Sequence, residues 1–416
     1  MTEEKEPIKY NRDELNPPDF LNQDFFQKVL QNHENDKALK ITKLEIIPGS
    51  KPGDHFASIM FKAIIDYTSR GKEVTGRRLV IKTMPVEEGI KRDMLKDSPI
   101  FDREIDMYTK VLPEMKRIIE SIGDDEEMAA KMIYHSKEPP IIIFEDITKY
   151  GYVMHDGLFD FDNTIKIVKK LAKFHAVSFY MNDNKYAHKL DLTQYDTIMT
   201  QAMMENFKVF FAGFEYLKEV VDTWPGYEKV SEKLVDLNSK FPARLIEVYK
   251  PNPDFNILCH GDFHVKNMMF IKNGDSIEKT MFLDYQISFW GSPAIDLIYV
   301  LYAIGDDETR ARRGELLSIY HASFCEYLNL LGCLKKPPSL LDLNMDLLKN
   351  GAAEILLGIC FLPFMAIDFS KMDMDAIVDP TPESMAAMRR MTYADEKIVK
   401  ILKVVLPELL HKGILY

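Results

Sequence analysis

The stretch Cys259-His260-Gly261-Asp262-Phe263-His264-Val265-Lys266-Asn267 decides how the rest of the chain is read. It joins a glycine, free to take a sharp turn, to a carboxylate directly after it and an amide five residues further on. Asp262 can take a proton from a hydroxyl group or orient that group. Asn267 offers a neutral oxygen to a hard cation. Those are the two services that phosphoryl transfer asks of a protein. A turn whose Asp and Asn cap backbone groups is the plainer reading of the same residues. On average residue usage, His-Gly-Asp-x4-Asn arises by chance in about one in a thousand chains of this length.

Downstream, Met281-Phe282-Leu283-Asp284-Tyr285 puts a carboxylate directly after an apolar strand. The hairpin signal Lys272-Asn273-Gly274-Asp275 returns the chain to the edge it left. Asn267 and Asp284 are therefore expected together, and two hard oxygens suit Mg²⁺ that also binds phosphate oxygens. The alternative for Asp284 is a strand-end residue that caps the next turn.

Upstream, Lys82 lies inside Leu79-Val80-Ile81-Lys82-Thr83-Met84. A lysine in an apolar strand must reach water or find an anion. Phe101, Glu104 and Tyr108 share one helix face, and a carboxylate there needs a partner. Lys82 and Glu104 form either a lysine anchor for nucleotide phosphates or a structural ion pair. The glycine-bearing loop Pro48–Ser58, with Gly53 and Ser58, is a candidate phosphate loop or a plain one. The strand Ile141–Phe144 ends at Glu145-Asp146-Ile147, and backbone groups from Glu145 to Ile147 are placed to read an adenine edge.

The organisation around these residues is α+β. Residues 1–40 read as an N-terminal extension in which Pro17-Pro18-Asp19 precedes an amphipathic helix. Residues 41–147 are strand-rich; Ile59, Phe61, Ala63, Ile65 and Tyr67 alternate as in a half-buried strand. Residues 98–120 have helical spacing. Residues 148–416 are mostly helical, interrupted by strands between Ile257 and Leu283. His175 reads as a satisfied core histidine on the one helix face it shares with Ile165, Val168, Leu171, Ala172 and Phe179. Phe207, Phe210, Phe211, Phe214 and Tyr216 read as core packing, with a part left over for an acceptor pocket.

Composition sets outer limits. Of 416 residues, 46% are hydrophobic and 28% charged, as in a globular protein with a real core. A net charge of −12 argues against nucleic-acid binding. The four cysteines lack metal or disulfide spacing and read as reduced thiols. An acidic start without an apolar run, and no long apolar stretch elsewhere, lead to the expectation of a cytoplasmic protein off the membrane.

Taken in order, Lys82, Glu104, residues 145–147, Asp262, Asn267 and Asp284 resemble the layout of a protein-kinase-like fold. That fold is bilobal, with a small antiparallel-sheet lobe and a larger helical one. The His-Gly-Asp form resembles the aminoglycoside and choline kinase branch. Within it the chain is most similar to the ecdysteroid-kinase-like (CHK kinase-like) family of insects. The residues that carry the likeness are Phe101-x2-Glu104-x3-Tyr108, Phe144-Glu145-Asp146-Ile147, Leu171-Ala172-x-Phe174-His175-Ala176, the loop from Cys259 to Phe270, and Leu283-Asp284-Tyr285-Gln286 with Pro293-x2-Asp296-Leu297.

The resemblance implies ATP- and Mg²⁺-dependent phosphorylation of a hydroxyl on a small, often apolar acceptor, an ecdysteroid or a xenobiotic being detoxified. It implies Asp262 as catalytic base, Asn267 and Asp284 as metal ligands, Lys82 with Glu104 as phosphate anchor, and His260 and Asp296 as supports of the loop. Two positions depart from the pattern: His264 stands where many members have Trp, and the phosphate loop reads Gly53-Asp54-His55-Phe56. A choline or ethanolamine kinase and a catalytically silent binding protein are the competing readings.

Overall fold

The computed structural model describes residues 15–49, 58–85, 98–182, 190–204, 213–235, 237–363 and 382–415. The chain divides into two compact units. One comprises Met1–Thr109 with Ala129–Tyr152, the other Lys110–Met128 with Val153–Tyr416.

The first unit is built on a five-stranded antiparallel sheet of β1 (Lys40–Pro48), β2 (Ile59–Ser69), β3 (Lys72–Thr83), β4 (Met132–Lys137) and β5 (Pro140–Glu145). Their order is β1-β2-β3-β5-β4. The alternation expected from the sequence is what forms β2: Ile59, Phe61, Ala63, Ile65 and Tyr67 are all buried. They pack with Leu79 and Ile81 of β3 and with Phe26, Val29 and Leu30 of the helix Gln23–His33. Asn22 caps that helix by accepting from Phe25 N at 3.1 Å. Strand geometry turns Lys82 to the face opposite Ile81. There it meets the helix Ile100–Asp106, whose Phe101, Glu104 and Ile105 are buried.

In the second unit the helix Phe161–Met181 is capped by Asp160, which accepts from Asn163 N. The helix is buried beyond the single face expected for it, since Ile167 and Phe174 are buried as well as Val168 and Leu171. Two short ladders lie in this unit, β6 (Ile257–Cys259) with β9 (Phe289–Gly291) and β7 (Met268–Asn273) with β8 (Ser276–Phe282). Gly274 makes the expected hairpin turn at φ 60°. The hairpin pairs Met268 with Phe282, and Leu283 N donates to Asn267 O at 2.9 Å. The segment Asp124–Met128 is fastened nearby. Lys173 pairs with Asp124 and Glu126, each at 2.5 Å, and Tyr285 OH donates to Met128 O at 2.7 Å.

Every residue of the helix Ala294–Ala303 is buried, and this helix carries Asp296. The four cysteines are free thiols. Among the described residues no helix is long and apolar enough to cross a membrane. Phe207, Phe210 and Phe211 lie outside the described residues, while Phe214 is fully buried and packs edge-on to Phe241.

Candidate active site

The loop after β6 turns at Gly261, whose φ is 87°. A Cβ there would sit 2.5 Å from Ile287 O, so both torsion and space call for glycine. The turn brings two consecutive backbone N–H groups onto one carboxylate. His260 N donates to Asp296 Oδ2 at 2.7 Å and Gly261 N to Oδ1 at 3.0 Å.

Asp296 is fully buried and has a further partner, His175 Nε2, at 3.0 Å. A carboxylate only accepts, so Nε2 of His175 carries the proton. In the neutral ring Nδ1 then accepts from Tyr320 OH at 2.8 Å. His175 is a satisfied core histidine as expected. Its partners also make it part of the loop's support, which periodicity alone does not reveal.

His260 is set by the same logic. Its Nε2 donates to Leu283 O at 2.8 Å, which leaves Nδ1 to accept, at a long 3.4 Å, from Asp262 N. Burial holds its pKa below the ordinary histidine value and keeps the ring neutral. Asp262, which follows, has the only half-buried carboxylate of the loop. Asn267 Nδ2 donates to Asp262 Oδ2 at 2.9 Å and to Asp262 O at 3.0 Å. His264 Nε2 lies 3.3 Å from Asp262 Oδ1. Burial pushes the Asp262 carboxyl up, but the charge and hydrogen bond of His264 outweigh it and hold it below the usual range. The reverse holds for His264: burial lowers its pKa, Asp262 raises it, and the net direction is up. His264 Nδ1 is closed off from water without a hydrogen-bond partner among the described residues.

With its amide nitrogen committed to Asp262, Asn267 turns its oxygen to the other side of the group. Asp284 follows β8 in the left-handed region at φ 62°. That conformation costs a non-glycine residue roughly 1–3 kcal/mol, and such residues gather at functional sites. Gln286 Nε2 donates to Asp284 Oδ2 at 3.3 Å. An amide oxygen and a carboxylate are hard donors of the kind Mg²⁺ takes. Among the described residues there is no group of three His, Cys, Asp or Glu side chains able to hold an ion. A cation bound here would complete its shell from water and phosphate, as Mg²⁺ characteristically does.

The remaining candidates lie in the first unit. Lys82 Nζ is 2.6 Å from Glu104 Oε2, with the two side chains 5% and 1% exposed. Ser58 is buried directly before β2, and Gly53 lies outside the described residues. Glu145 N donates to Lys131 O, Asp146 N to Arg78 O, and Thr148 N to the Asp146 side chain. These bonds narrow the expected backbone donor of the segment to Ile147. The Glu145 carboxylate is occupied by Lys149 at 2.5 Å, Tyr150 OH at 3.1 Å and Arg77 at 3.4 Å.

Comparison with known proteins gives three results. The family pattern described as "Ecdysteroid kinase-like family" matches residues 52–333. No curated protein matches the chain. Solved structures similar to it include a choline kinase from Cryptosporidium parvum Iowa II, at 13% identity and TM-score 0.42, covering 93% of this chain and 97% of that one. An ethanolamine kinase from Plasmodium vivax is similar at 14% identity and TM-score 0.38, covering 96% and 98%. The GDP complex of aminoglycoside 2′-phosphotransferase-IIIa is similar at 10% identity and TM-score 0.40, covering 93% and 99%.

Proposed function

The chain belongs to the ecdysteroid kinase-like family, and from that premise we propose that it is a small-molecule kinase that moves the terminal phosphoryl group of ATP to a hydroxyl of an apolar acceptor. The observation that carries the proposal is the Asp262 carboxylate, partly exposed on a loop whose shape is fixed by buried hydrogen bonds. Asn267 and His264 each contact it, and Asp296 takes the two backbone N–H groups before it.

In this reading Asp262 orients the acceptor hydroxyl. With its pKa held low, Asp262 is a poor ground-state base. It takes the proton late, as the oxygen–phosphorus bond forms, which suits a loose transition state that needs little help from a base. Asn267 Oδ1 and Asp284 would hold Mg²⁺, whose charge offsets that of the phosphate oxygens. Lys82, kept charged and extended by Glu104, would hold nucleotide phosphates. His260 stays neutral and braces the turn. Ile147 N–H would read the adenine edge.

On the acceptor side we take an apolar alcohol over a quaternary ammonium, because neither Trp224 nor Trp290, both buried in packing, is free to cap a cation. Adding a phosphate gives such an alcohol up to two negative charges and makes it soluble. The test is ATP-dependent transfer to a panel of an ecdysteroid, a phenolic glycoside and choline. Transfer to a ring-bearing alcohol is the expected result. Tight acceptor binding with no transfer to any of the three would favour a silent binding protein.

A further inference from the structure

A row of three rings ends at the Asp262 carboxylate. The ring centroids of Tyr299 and Phe361 lie 5.9 Å apart at 73°. Those of Phe361 and His264 lie 5.5 Å apart at 39°, and His264 Nε2 is 3.3 Å from Asp262 Oδ1. The row runs outward from the core, since Tyr299 is 4% exposed while Phe361 is only half buried.

Phe361 is placed in an uncommon way. It ends the π-helical turn Leu356–Phe361, which carries one more residue per turn than an α-helix and so shifts the side chains after it around the axis. Such turns are rare and occur mostly at functional sites. The turn is packed tightly from behind: a Cβ on Gly358 would lie 3.0 Å from both Tyr302 and Val405. A half-buried phenyl ring next to the histidine that contacts Asp262, backed by Tyr299 and held on a tightly packed turn, offers a flat apolar face where an acceptor hydroxyl has to arrive.

We infer that Phe361 and His264 form the platform on which the acceptor lies, and that they select an alcohol carried on a flat or fused apolar ring system. The inference rests on the kinase reading of Asp262 and adds the residues that choose the substrate. Ring surface laid on Phe361 leaves water on both sides and gains aromatic contact. A short amino alcohol has no face of that size. Phe361 thus acts on acceptor binding, whereas His264 combines a ring face with its N–H to Asp262.

The experiment compares the parent with Phe361→Ala, Phe361→Tyr and His264→Phe. An ecdysteroid, a phenolic glycoside and choline serve as probes. Steady-state transfer, equilibrium binding of each probe, nucleotide binding and melting temperature are measured. Phe361→Ala is expected to raise KM and Kd for the ring-bearing probes about 10- to 100-fold, with kcat and nucleotide affinity close to the parent and choline unaffected. Phe361→Tyr keeps the platform and stays near the parent. His264→Phe keeps acceptor affinity while kcat falls.

Unchanged ring-probe affinity in folded Phe361→Ala overturns the inference, as does a loss confined to kcat or to nucleotide. If Phe361→Ala does not fold, Phe361→Leu, which keeps bulk without the flat face, is read by the same criteria. If the parent binds the probes but transfers phosphate to none, the kinase reading fails alone. The platform then stands or falls on whether Phe361→Ala weakens ring-probe binding. A parent that binds neither ring-bearing probe overturns the assigned acceptor class.

Discussion

In the first unit, Lys82 is held by another side chain. Its ammonium and the Glu104 carboxylate are both out of water and 2.6 Å apart. In the second unit, the loop that carries Asp262 is held through its backbone. Asp296 receives two main-chain N–H groups and the ring N–H of His175. The difference matters because a side-chain partner can be mutated away and a backbone N–H cannot. A buried ion pair can give way to apolar residues of similar volume with little loss, or even a gain, of stability. A carboxylate that satisfies main-chain donors has no apolar substitute, because the donors stay behind unpaired. The first arrangement holds two opposite charges together out of water. The second specifies a conformation.

The comparison breaks first if Asp296→Leu is tolerated. That change strands the N–H groups of His260 and Gly261 and the Nε2–H of His175, at about 1–3 kcal/mol each, for a loss on the order of 5 kcal/mol. Urea unfolding should show it, and no second apolar change at His175 should restore it. Lys82→Met alone should cost about 4 kcal/mol by leaving Glu104 charged and buried. The double variant Lys82→Met/Glu104→Leu should recover most of that stability yet transfer no phosphate. A double variant as unstable as the single would mean that the two arrangements do not differ in kind.

A third carboxylate, held by side chains alone, tests the first arrangement again. Glu354 Oε1 takes Arg313 at 2.6 Å, Lys412 at 2.7 Å and Tyr302 OH at 2.9 Å, all side chains. Burial pushes its pKa up, but the charges of Arg313 and Lys412 outweigh it and the net direction is down. A depressed folded pKa contributes stability above the unfolded value of about 4.3, and that stability is lost as pH falls through the folded value. Glu354→Gln should therefore lower stability at neutral pH by about 2 kcal/mol and flatten the acid fall below pH about 4. An unchanged acid limb in chemical unfolding would contradict this. The smallest effect belongs to Tyr320→Phe, which removes one hydrogen bond to His175 from outside the Asp296 shell. It should cost about 1 kcal/mol and leave nucleotide affinity untouched in calorimetry.

What the sequence revealed, it revealed through short-range pattern. Asp262 and Asn267 share one turn, and the hairpin at Gly274 returns Asp284 beside them. Two periodicities, two in the strand and 3.6 in the helix, are enough to aim Lys82 and Glu104 at each other. What stayed hidden depends on long-range packing or on backbone torsion. His175 and Tyr320 are 145 positions apart, and nothing local to an apolar helix face marks a histidine as Asp296's partner. The φ of 62° at Asp284 leaves no mark on composition, since Asp is common in ordinary turns as well. Phe361 sits on a π-turn that reads in sequence as one more apolar helix.

The central claim is that Asp262 serves the transferred phosphoryl group and not the architecture, and Asp262→Asn tests it most directly. The amide keeps the size of the side chain and its contact with Asn267 while losing the charge. Phosphate transfer to the best ring-bearing acceptor should fall roughly 10³-fold, with ATP affinity measured by calorimetry and melting temperature both close to the parent. Turnover equal to the parent's in the folded variant would contradict the assignment.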